Sequence, residues 1–201
     1  QDSPMEGGTP QSQPRPQPQP QLELAVPFPI FAYCKKPLAF DILVPSGHFW
    51  QHNYDALFGK EWEGHLVPWG QKRDVAFGRY TASMCGSMKS IYNRDLPSNV
   101  REAMMDLSRS LNQSEGATSP LDLWTLNDYS TNTPIPGVHY FPMERHPEFK
   151  YLASLDGYTC STRLEKLLAM ESAVLKQAST FSSYFYQAMQ PYVHYVPFWE
   201  A

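Results

Sequence analysis

Short apolar runs bounded by proline, glycine and polar residues recur along this chain after residue 26. Brief runs of this kind are typical of buried strands. They predict strands at residues 28–33 (FPIFAY), 74–80 (DVAFGRY), 151–155 (YLASL) and 172–176 (SAVLK). A further short apolar segment lies within residues 37–50, which contain a Pro-Ser-Gly turn.

Two segments carry the spacing of an amphipathic helix instead. Residues 97–111 begin with a Pro-Ser pair and then place apolar side chains at three- and four-residue intervals. In residues 162–170, Thr162 and Glu165 fit a capping box, which predicts a helix start at Thr162. The order strand, turn, helix, strand over residues 151–176 predicts a parallel strand pair with a right-handed connection.

Other parts of the chain are poorer in pattern. Residues 1–22 form a Pro/Gln tract that predicts a disordered tail, which leaves one domain at residues 23–201. Residues 112–147 are rich in Ser, Thr, Asn and Pro and predict mostly loop, with one short strand at 138–141. The Asn-Gln-Ser sequence at Asn112 is a glycosylation acceptor only if the chain enters the secretory pathway.

Composition excludes several classes of function. The 201 residues are 42% hydrophobic with a net charge of -4 and no basic run, which argues against a nucleic-acid surface or an anionic membrane surface. No apolar run approaches the roughly 20 residues of a membrane span. Three cysteines without CxxC spacing predict neither a zinc site nor a disulfide framework, and at most one bridge with one free thiol. The chain begins at Gln1 without a basic-then-apolar leader, as expected of a fragment or a processed protein.

The main candidate ligand-binding residues lie in the turn before the second predicted helix. The turn carries small polar residues and one fixed cation, namely Asp156, Gly157, Ser161, Thr162 and Arg163. Because ligands bind at the carboxyl ends of parallel strands, an arginine there is placed to hold a phosphate. The alternative is a surface arginine beside an ordinary helix cap, and the pattern alone leaves both open.

The other candidate functional residues give weaker evidence of a site. His139, His146 and His194 lack metal-ligand spacing, so no metal site is predicted. Ser161 does not lie in a nucleophile elbow. The aromatic residues between 181 and 199 have the apolar density of packed elements, which favours a structural role over carbohydrate stacking.

Residues 150–197 carry a longer series of motifs. In order they are a Lys-Tyr strand start, an Asp-Gly turn, R-x-x-x-L-L, S-x-V-L-K-Q and H-Y-x-P. The series resembles the C-terminal part of the Rumi-like protein O-glucosyltransferases and their capsule- and lipopolysaccharide-modifying relatives, glycosyltransferase family 90. Residues 31–50 and 68–80 are similar to two upstream segments of that family.

The resemblance implies the Rossmann-like, nucleotide-sugar-binding half of a GT-B type glycosyltransferase, an incomplete α/β fold. It implies an inverting transfer of glucose or xylose from a UDP-sugar to a protein serine or a glycan hydroxyl, without a metal or other cofactor. It also implies the lumen of the endoplasmic reticulum or Golgi. It assigns donor binding to Arg79, Asp156, Gly157, Ser161, Thr162 and Arg163, and acceptor binding to His48, Phe49 and Trp50.

Two departures from the family pattern qualify this reading. Around Arg79, where the family has W-R-G, this chain has Gly78 and Tyr80. The family's catalytic aspartate lies upstream of the matched segments, where residues 1–22 hold only the Pro/Gln tract. The expectation is weak binding of UDP at most and no sugar transfer, and the alternative function is a relative that binds nucleotide-sugar or glycan without transfer.

Overall fold

The structure, a computed structural model, describes residues 28, 30–47, 64–81, 100–128, 131–157 and 159–199. The predicted disordered tail at residues 1–22 lies outside these residues. In chain order the described strands are β1 (Phe31–Ala32), β2 (Cys34–Lys35), β3 (Ile42–Leu43), β4 (Arg73–Tyr80), β5 (Leu121–Thr125), β6 (Phe149–Ser154), β7 (Ala173–Gln177), β8 (Ser182–Ser183) and β9 (Val196–Phe198). The described helices are α1 (Val100–Glu115) and α2 (Leu164–Leu168), with short 3-10 turns at Trp69–Gln71, Gly116–Thr118, Met143–Glu148 and Tyr186–Ala188.

Five of these strands form one parallel sheet in the order β5-β4-β6-β7-β9. From β4 the chain first moves outward to β5, and it then returns to the other side of β4 to add β6, β7 and β9. The strand order therefore reverses between β4 and β6. In open parallel sheets the crevice at such a reversal, at the carboxyl ends of the strands, is where ligands bind.

The two described helices cover opposite faces of the sheet. Side chains alternate along a strand, so Phe77 and Tyr80 of β4 point to different faces. On the first face Phe77 packs in a cluster with residues of α2, which comprises Phe77, Phe149, Leu152, Leu164, Leu167, Met170 and Val174. On the second face Tyr80 packs with Val100 of α1 and with Leu155. The described chain is a three-layer α/β unit.

Several sequence-based predictions are confirmed. Strands occur at β4, β6 and β7, and β6 and β7 are parallel with Leu152 opposite Val174. A helix occurs where residues 97–111 predict one, and it runs from Val100 to Glu115. Because residues 97–99 lie outside the described chain, the predicted start of that helix is not tested.

The predicted capping box is wrong. Helix α2 begins at Leu164, two residues after Thr162, and no side chain caps its first turn. Glu165 is 5% exposed and faces the interior, so its carboxylate is not available to the backbone at Thr162. The helix is short because Leu164 and Leu167 anchor it to the sheet, where packing outweighs the local capping preference.

Two predictions within residues 112–147 are also wrong. Strand β5 was expected to be loop, yet it pairs with β4 from Ala76 opposite Leu121 onward. Its outer edge is covered by α1, where the Leu123 N–H donates to the Ser108 hydroxyl at 3.1 Å. Residues 138–141, predicted as a strand, pair with no described strand and lead into a 3-10 turn.

A buried lysine joins the start of β4 to its neighbours. Lys72 Nζ donates to the Pro147 carbonyl at 2.7 Å, to the Met170 carbonyl at 3.1 Å and to the Ser172 hydroxyl at 3.0 Å. Burial lowers the pKa of Lys72, and the nearby Glu171 opposes that shift. Lys72 thus links the starts of β4, β6 and β7 at the amino-terminal edge of the sheet, opposite its carboxyl edge.

The N-terminal segment is attached to the sheet layer by a disulfide between Cys34 and Cys160, residues 126 positions apart. Cys34 lies in β2, which pairs with β8, and Cys160 lies in the loop after β6. The prediction of at most one bridge agrees with this pairing, and Cys85 lies outside the described residues. Among the described helices, none has the length and apolar character needed to cross a membrane.

Candidate functional site at the carboxyl edge of the sheet

A cavity of about 360 Å³ lies at the carboxyl edge of the sheet, at the reversal of strand order. Residues 79–81 at the end of β4 and Leu126 after β5 form part of its wall. The remaining wall comes from residues within 140–146 and from Thr162, Arg163 and Lys166 at the start of α2. The fold therefore brings together three segments that are far apart in the sequence.

Arg79 contributes a cation that is already paired. Its guanidinium lies 4.5 Å from the centroid of the Phe77 ring, forms an ion pair with Asp122 at 2.8 Å and donates to the Asp122 carbonyl. The Arg79 side chain is only 15% exposed, so the pair is sheltered from water. Asp122 therefore offsets most of the charge that Arg79 brings to the cavity.

The two departures from the W-R-G pattern belong to one arrangement. A Cβ atom added to Gly78 would lie 2.6 Å from Cζ of Tyr80, so the missing side chain leaves room for the Tyr80 ring. The Tyr80 hydroxyl donates to the Ala153 carbonyl at 2.8 Å, and burial raises the pKa of Tyr80 to about 12. Gly78 and Tyr80 together tie the end of β4 to β6 and leave Arg79 facing the Phe77 side.

Two further cations lie close to the Tyr80 ring. The Arg163 guanidinium lies 5.6 Å from the Tyr80 ring centroid and the Arg101 guanidinium lies 5.1 Å from it. Arg101, on α1, donates to the Thr81 and Leu155 carbonyls at 3.1 and 3.0 Å and so bridges the ends of β4 and β6. Such positions over an aromatic face stabilise a cation.

Arg163 brings a second cation to the cavity wall. Its guanidinium donates to the Arg79 carbonyl, which is the one hydrogen bond of this side chain among the described residues. Burial lowers the pKa of Arg163, but an arginine side chain keeps its charge in proteins. A charged guanidinium at a cavity wall, with N–H groups left over, is suited to a phosphate.

The charge of the cavity wall is positive. Arg79, Arg163 and Lys166 line it, and the lining residues include no carboxylate in the described chain. Lys166 follows Arg163 by one helical turn, and in the part of the chain that the structure describes it forms no ion pair. With Arg79 compensated by Asp122, Arg163 and Lys166 are the cations that remain for an anionic ligand.

A histidine in the same wall is neutral. His146 is 2% exposed and its ring lies edge-on to Phe77, with centroids 5.2 Å apart. Nδ1 lies 2.9 Å from the Pro142 carbonyl, and because a carbonyl only accepts, Nδ1 carries the proton. Burial lowers the pKa of His146 to about 4, and the nearby Arg163 and Arg79 contribute to the shift. Within the described chain Nε2 has no hydrogen-bond partner.

The other predicted donor-side residues are not among those that line the cavity. Asp156 Oδ1 accepts the Ser161 N–H at 3.1 Å, and the Asp156 N–H donates to Gln177 Oε1 at 2.9 Å. Burial raises the pKa of the Asp156 carboxyl. Gly157 lies beside Arg101, where an added Cβ would be 3.0 Å from a guanidinium nitrogen. These residues shape the loop that carries Arg163.

Of the predicted donor-side residues, the structure thus brings Arg79, Thr162 and Arg163 together in one wall. The predicted acceptor-side residues His48, Phe49 and Trp50 lie outside the described chain. Sequence reasoning missed Tyr140, His146 and Lys166. Only Lys166 had a signal, its three-residue spacing from Arg163 on a predicted helix, which places both on one side of that helix.

Comparison with known proteins identifies the family of the chain. The family model of Glycosyl transferase family 90 matches residues 8–201. The chain belongs to that family. It is 27% identical over 190 residues to the protein named O-glucosyltransferase rumi of Drosophila melanogaster, and 30% identical over 186 residues to the O-glucosyltransferase rumi homolog of Aedes aegypti. It is also 26% identical over 188 residues to Protein O-glucosyltransferase 1 of Homo sapiens.

These three matches each cover 84% of this chain. They cover 41%, 42% and 43% of the fly, mosquito and human relatives in that order. The chain therefore spans about two fifths of the length of these relatives. Family membership is established by the match, whereas a donor, an acceptor and a reaction for this chain require an argument from its own residues.

Proposed function

We propose that this chain forms the donor-binding half of a GT-B type glycosyltransferase with a Rossmann-like fold. Its donor is a UDP-sugar, and the transferred sugar is glucose or xylose. The acceptor is a serine hydroxyl of a protein or a hydroxyl of a glycan, and the anomeric carbon is inverted. The relatives carry the name O-glucosyltransferase, which supports a sugar transfer to oxygen.

The observation that carries the proposal is the cation-lined cavity at the reversal of strand order. A nucleotide-sugar presents a diphosphate, and Arg163 and Lys166 are cations that no carboxylate of the described cavity wall neutralises. As the bond to the sugar breaks, negative charge grows on the departing diphosphate. A guanidinium held in a partly buried wall stabilises that charge more than it would in water.

Thr162 and Arg79 have supporting roles in this proposal. Thr162 lines the cavity next to Arg163 and offers a hydroxyl to a phosphate oxygen. The backbone carbonyl of Arg79 holds the Arg163 guanidinium in place before a ligand arrives. Asp156, Gly157 and Ser161 position the loop that carries Arg163, which is a less direct role than the one that the resemblance implies.

One observation favours a second candidate, a relative that binds nucleotide-sugar without transferring it. Inverting transfer requires a carboxylate to accept the proton of the attacking hydroxyl. No carboxylate lines the described part of the cavity. A transfer assay with UDP-glucose and a serine-containing acceptor peptide separates the two candidates, since binding without transfer supports the second.

We further propose that the protein works in the lumen of the endoplasmic reticulum or Golgi. The bond between Cys34 and Cys160 supports this, because disulfides persist mainly in oxidising compartments. Extraction under thiol-blocking conditions tests the point. A free Cys34 thiol in the protein recovered from its native cells would contradict it.

Isothermal titration with UDP tests the donor site. Relative to the wild type, Arg163→Ala is expected to weaken binding by about 1.5 to 3 kcal/mol, the range for hydrogen bonds to a charged group. Arg109→Ala is the matched control, since Arg109 lies on α1, pairs with Asp106 and is not in the cavity wall. Equal affinities for the wild type and Arg163→Ala would contradict the proposed donor site.

A further inference from the structure

Tyr140 is an exposed aromatic residue in the cavity wall. It lines the cavity, yet 73% of its surface is exposed. In the described part of the chain it forms no ring contact and no side-chain hydrogen bond. Its neighbour Phe141 behaves differently, because the Phe141 ring packs against Phe77 with centroids 4.7 Å apart.

The ring of Tyr140 lies near the cation of the donor site. Tyr140 and Arg163 line the same cavity. Phe141, Met143 and Leu126 complete an apolar part of the same wall. The cavity therefore combines an available flat ring and an apolar surface with the charges of Arg163 and Lys166.

A ligand that uses both parts must carry a planar apolar ring as well as an anionic group. Inorganic phosphate or pyrophosphate has only the second. A nucleoside diphosphate has both, and the cavity volume of about 360 Å³ falls in the range of small-molecule sites. Stacking of a base on an aromatic side chain contributes substantially to affinity for nucleic acids, and the same contact is open to a single nucleotide.

We propose that Tyr140 stacks on the base of the nucleotide whose diphosphate is held at Arg163, and that this contact sets the preference for a nucleotide over a simple anion. The inference rests on the proposed function and adds to it the residue that recognises the base. Tyr140 is exposed because its stacking partner is the ligand. A tyrosine whose ring is already packed, such as Tyr80, has no such role.

The test compares two probes, UDP and inorganic pyrophosphate, in titrations of the same protein. Tyr140→Ala is expected to weaken UDP binding roughly five- to 150-fold, the effect of removing one stacked base contact, and to leave pyrophosphate binding unchanged. Tyr140→Phe keeps the ring and is expected to bind UDP like the wild type. Tyr192→Ala is the matched control, because Tyr192 is 76% exposed and does not line the cavity.

The outcomes separate this inference from the proposed function. Unchanged UDP binding by Tyr140→Ala would overturn the stacking role while the donor site stood. An equal loss of UDP and pyrophosphate binding would overturn it as well, since the ring would then serve the phosphates. A wild type that bound neither probe would overturn the proposed function together with this inference.

Discussion

The packed middle of the sheet and its carboxyl edge are built by different interactions. In the middle, Phe77 stacks on Phe149 with centroids 4.0 Å apart, and the pair packs with Leu152, Leu164 and Val174. At the edge, the side chains of Arg101 and Arg163 donate to backbone carbonyls near the ends of β4 and β6, namely those of Thr81, Leu155 and Arg79. Hydrogen bonds from cations to carbonyls therefore hold this edge together.

The difference explains where a ligand site fits in this fold. Apolar packing is dense and tolerates little change, so it fixes the strands. A guanidinium has five N–H donors, so one that is bonded to a single carbonyl, such as that of Arg163, keeps others for a further acceptor. The fold therefore holds cations close together at this edge, and the donors that remain on them can bind an anion.

The largest effect is expected from breaking the packed middle. Phe149→Ala removes a ring that is fully buried and is expected to lower the free energy of unfolding by about 3 to 5 kcal/mol. Leu38→Ala, at a leucine that is 92% exposed, is the control and is expected to change it by less than about 0.5 kcal/mol. Chemical denaturation measures both, and similar losses in the two variants would contradict the assigned core.

The next effect concerns the covalent link that fastens the loop at the edge. Replacing Cys34 and Cys160 together by serine is expected to lower stability by about 2 to 5 kcal/mol, since the bridge closes a long loop. The same protein supplies the control, because a reducing agent should destabilise the wild type and leave the double variant unchanged. A reducing agent that destabilised both equally would show that the link is not the cause.

A buried acid between the two regions predicts a pH dependence. Burial raises the pKa of Glu165 from 4.5 to about 7. Between these values the folded protein keeps a proton that the unfolded chain has lost, so this group makes the wild type less stable as pH rises. Glu165→Gln removes the effect, and its stability relative to the wild type should grow by up to about 3 kcal/mol over that window.

Thermal or chemical unfolding at a series of pH values measures the difference between Glu165→Gln and the wild type. The difference should change between about pH 4.5 and pH 7 and become constant above it. A difference that stayed flat across the window would mean that Glu165 ionises in the folded protein as it does in the unfolded chain.

The smallest expected effect is a change in UDP affinity that tests the role of charge at the carboxyl edge. Asp122→Asn removes the carboxylate that offsets Arg79 and is expected to tighten UDP binding, by less than about tenfold. High salt should reduce the gain because it screens charge. Asp106→Asn on α1 serves as the control, and weaker UDP binding by Asp122→Asn would contradict a cation-driven cavity.

Much of the sheet could be predicted from the sequence, because buried strands have a recognisable apolar pattern. Strands β4, β6 and β7 are short apolar runs because they lie inside the three-layer unit, and such runs are visible in a single sequence. Strand β5 (LDLWT) is itself rich in apolar residues, but it was missed because the surrounding residues 112–147 are rich in Ser, Thr, Asn and Pro. Its pairing with β4 and its hydrogen bond to Ser108 of α1 are long-range contacts.

The site was predictable in part for a similar reason. Arg163 lies in a turn whose position between two strands was evident, and Arg79 lies in a matched motif. The misplaced capping box arose because Glu165 prefers an interior position that only the packed fold defines. Tyr140 and His146 line the cavity from an irregular segment. Such a segment has no hydrophobic periodicity from which its position could be predicted.

A crystal structure of the chain with UDP bound is the decisive experiment for the donor site. We expect the diphosphate in the cavity beside the ends of β4 and β5, with a phosphate oxygen about 2.7 to 2.9 Å from a guanidinium nitrogen of Arg163. UDP bound elsewhere on the chain, while the Arg163 guanidinium still met only the Arg79 carbonyl, would contradict it.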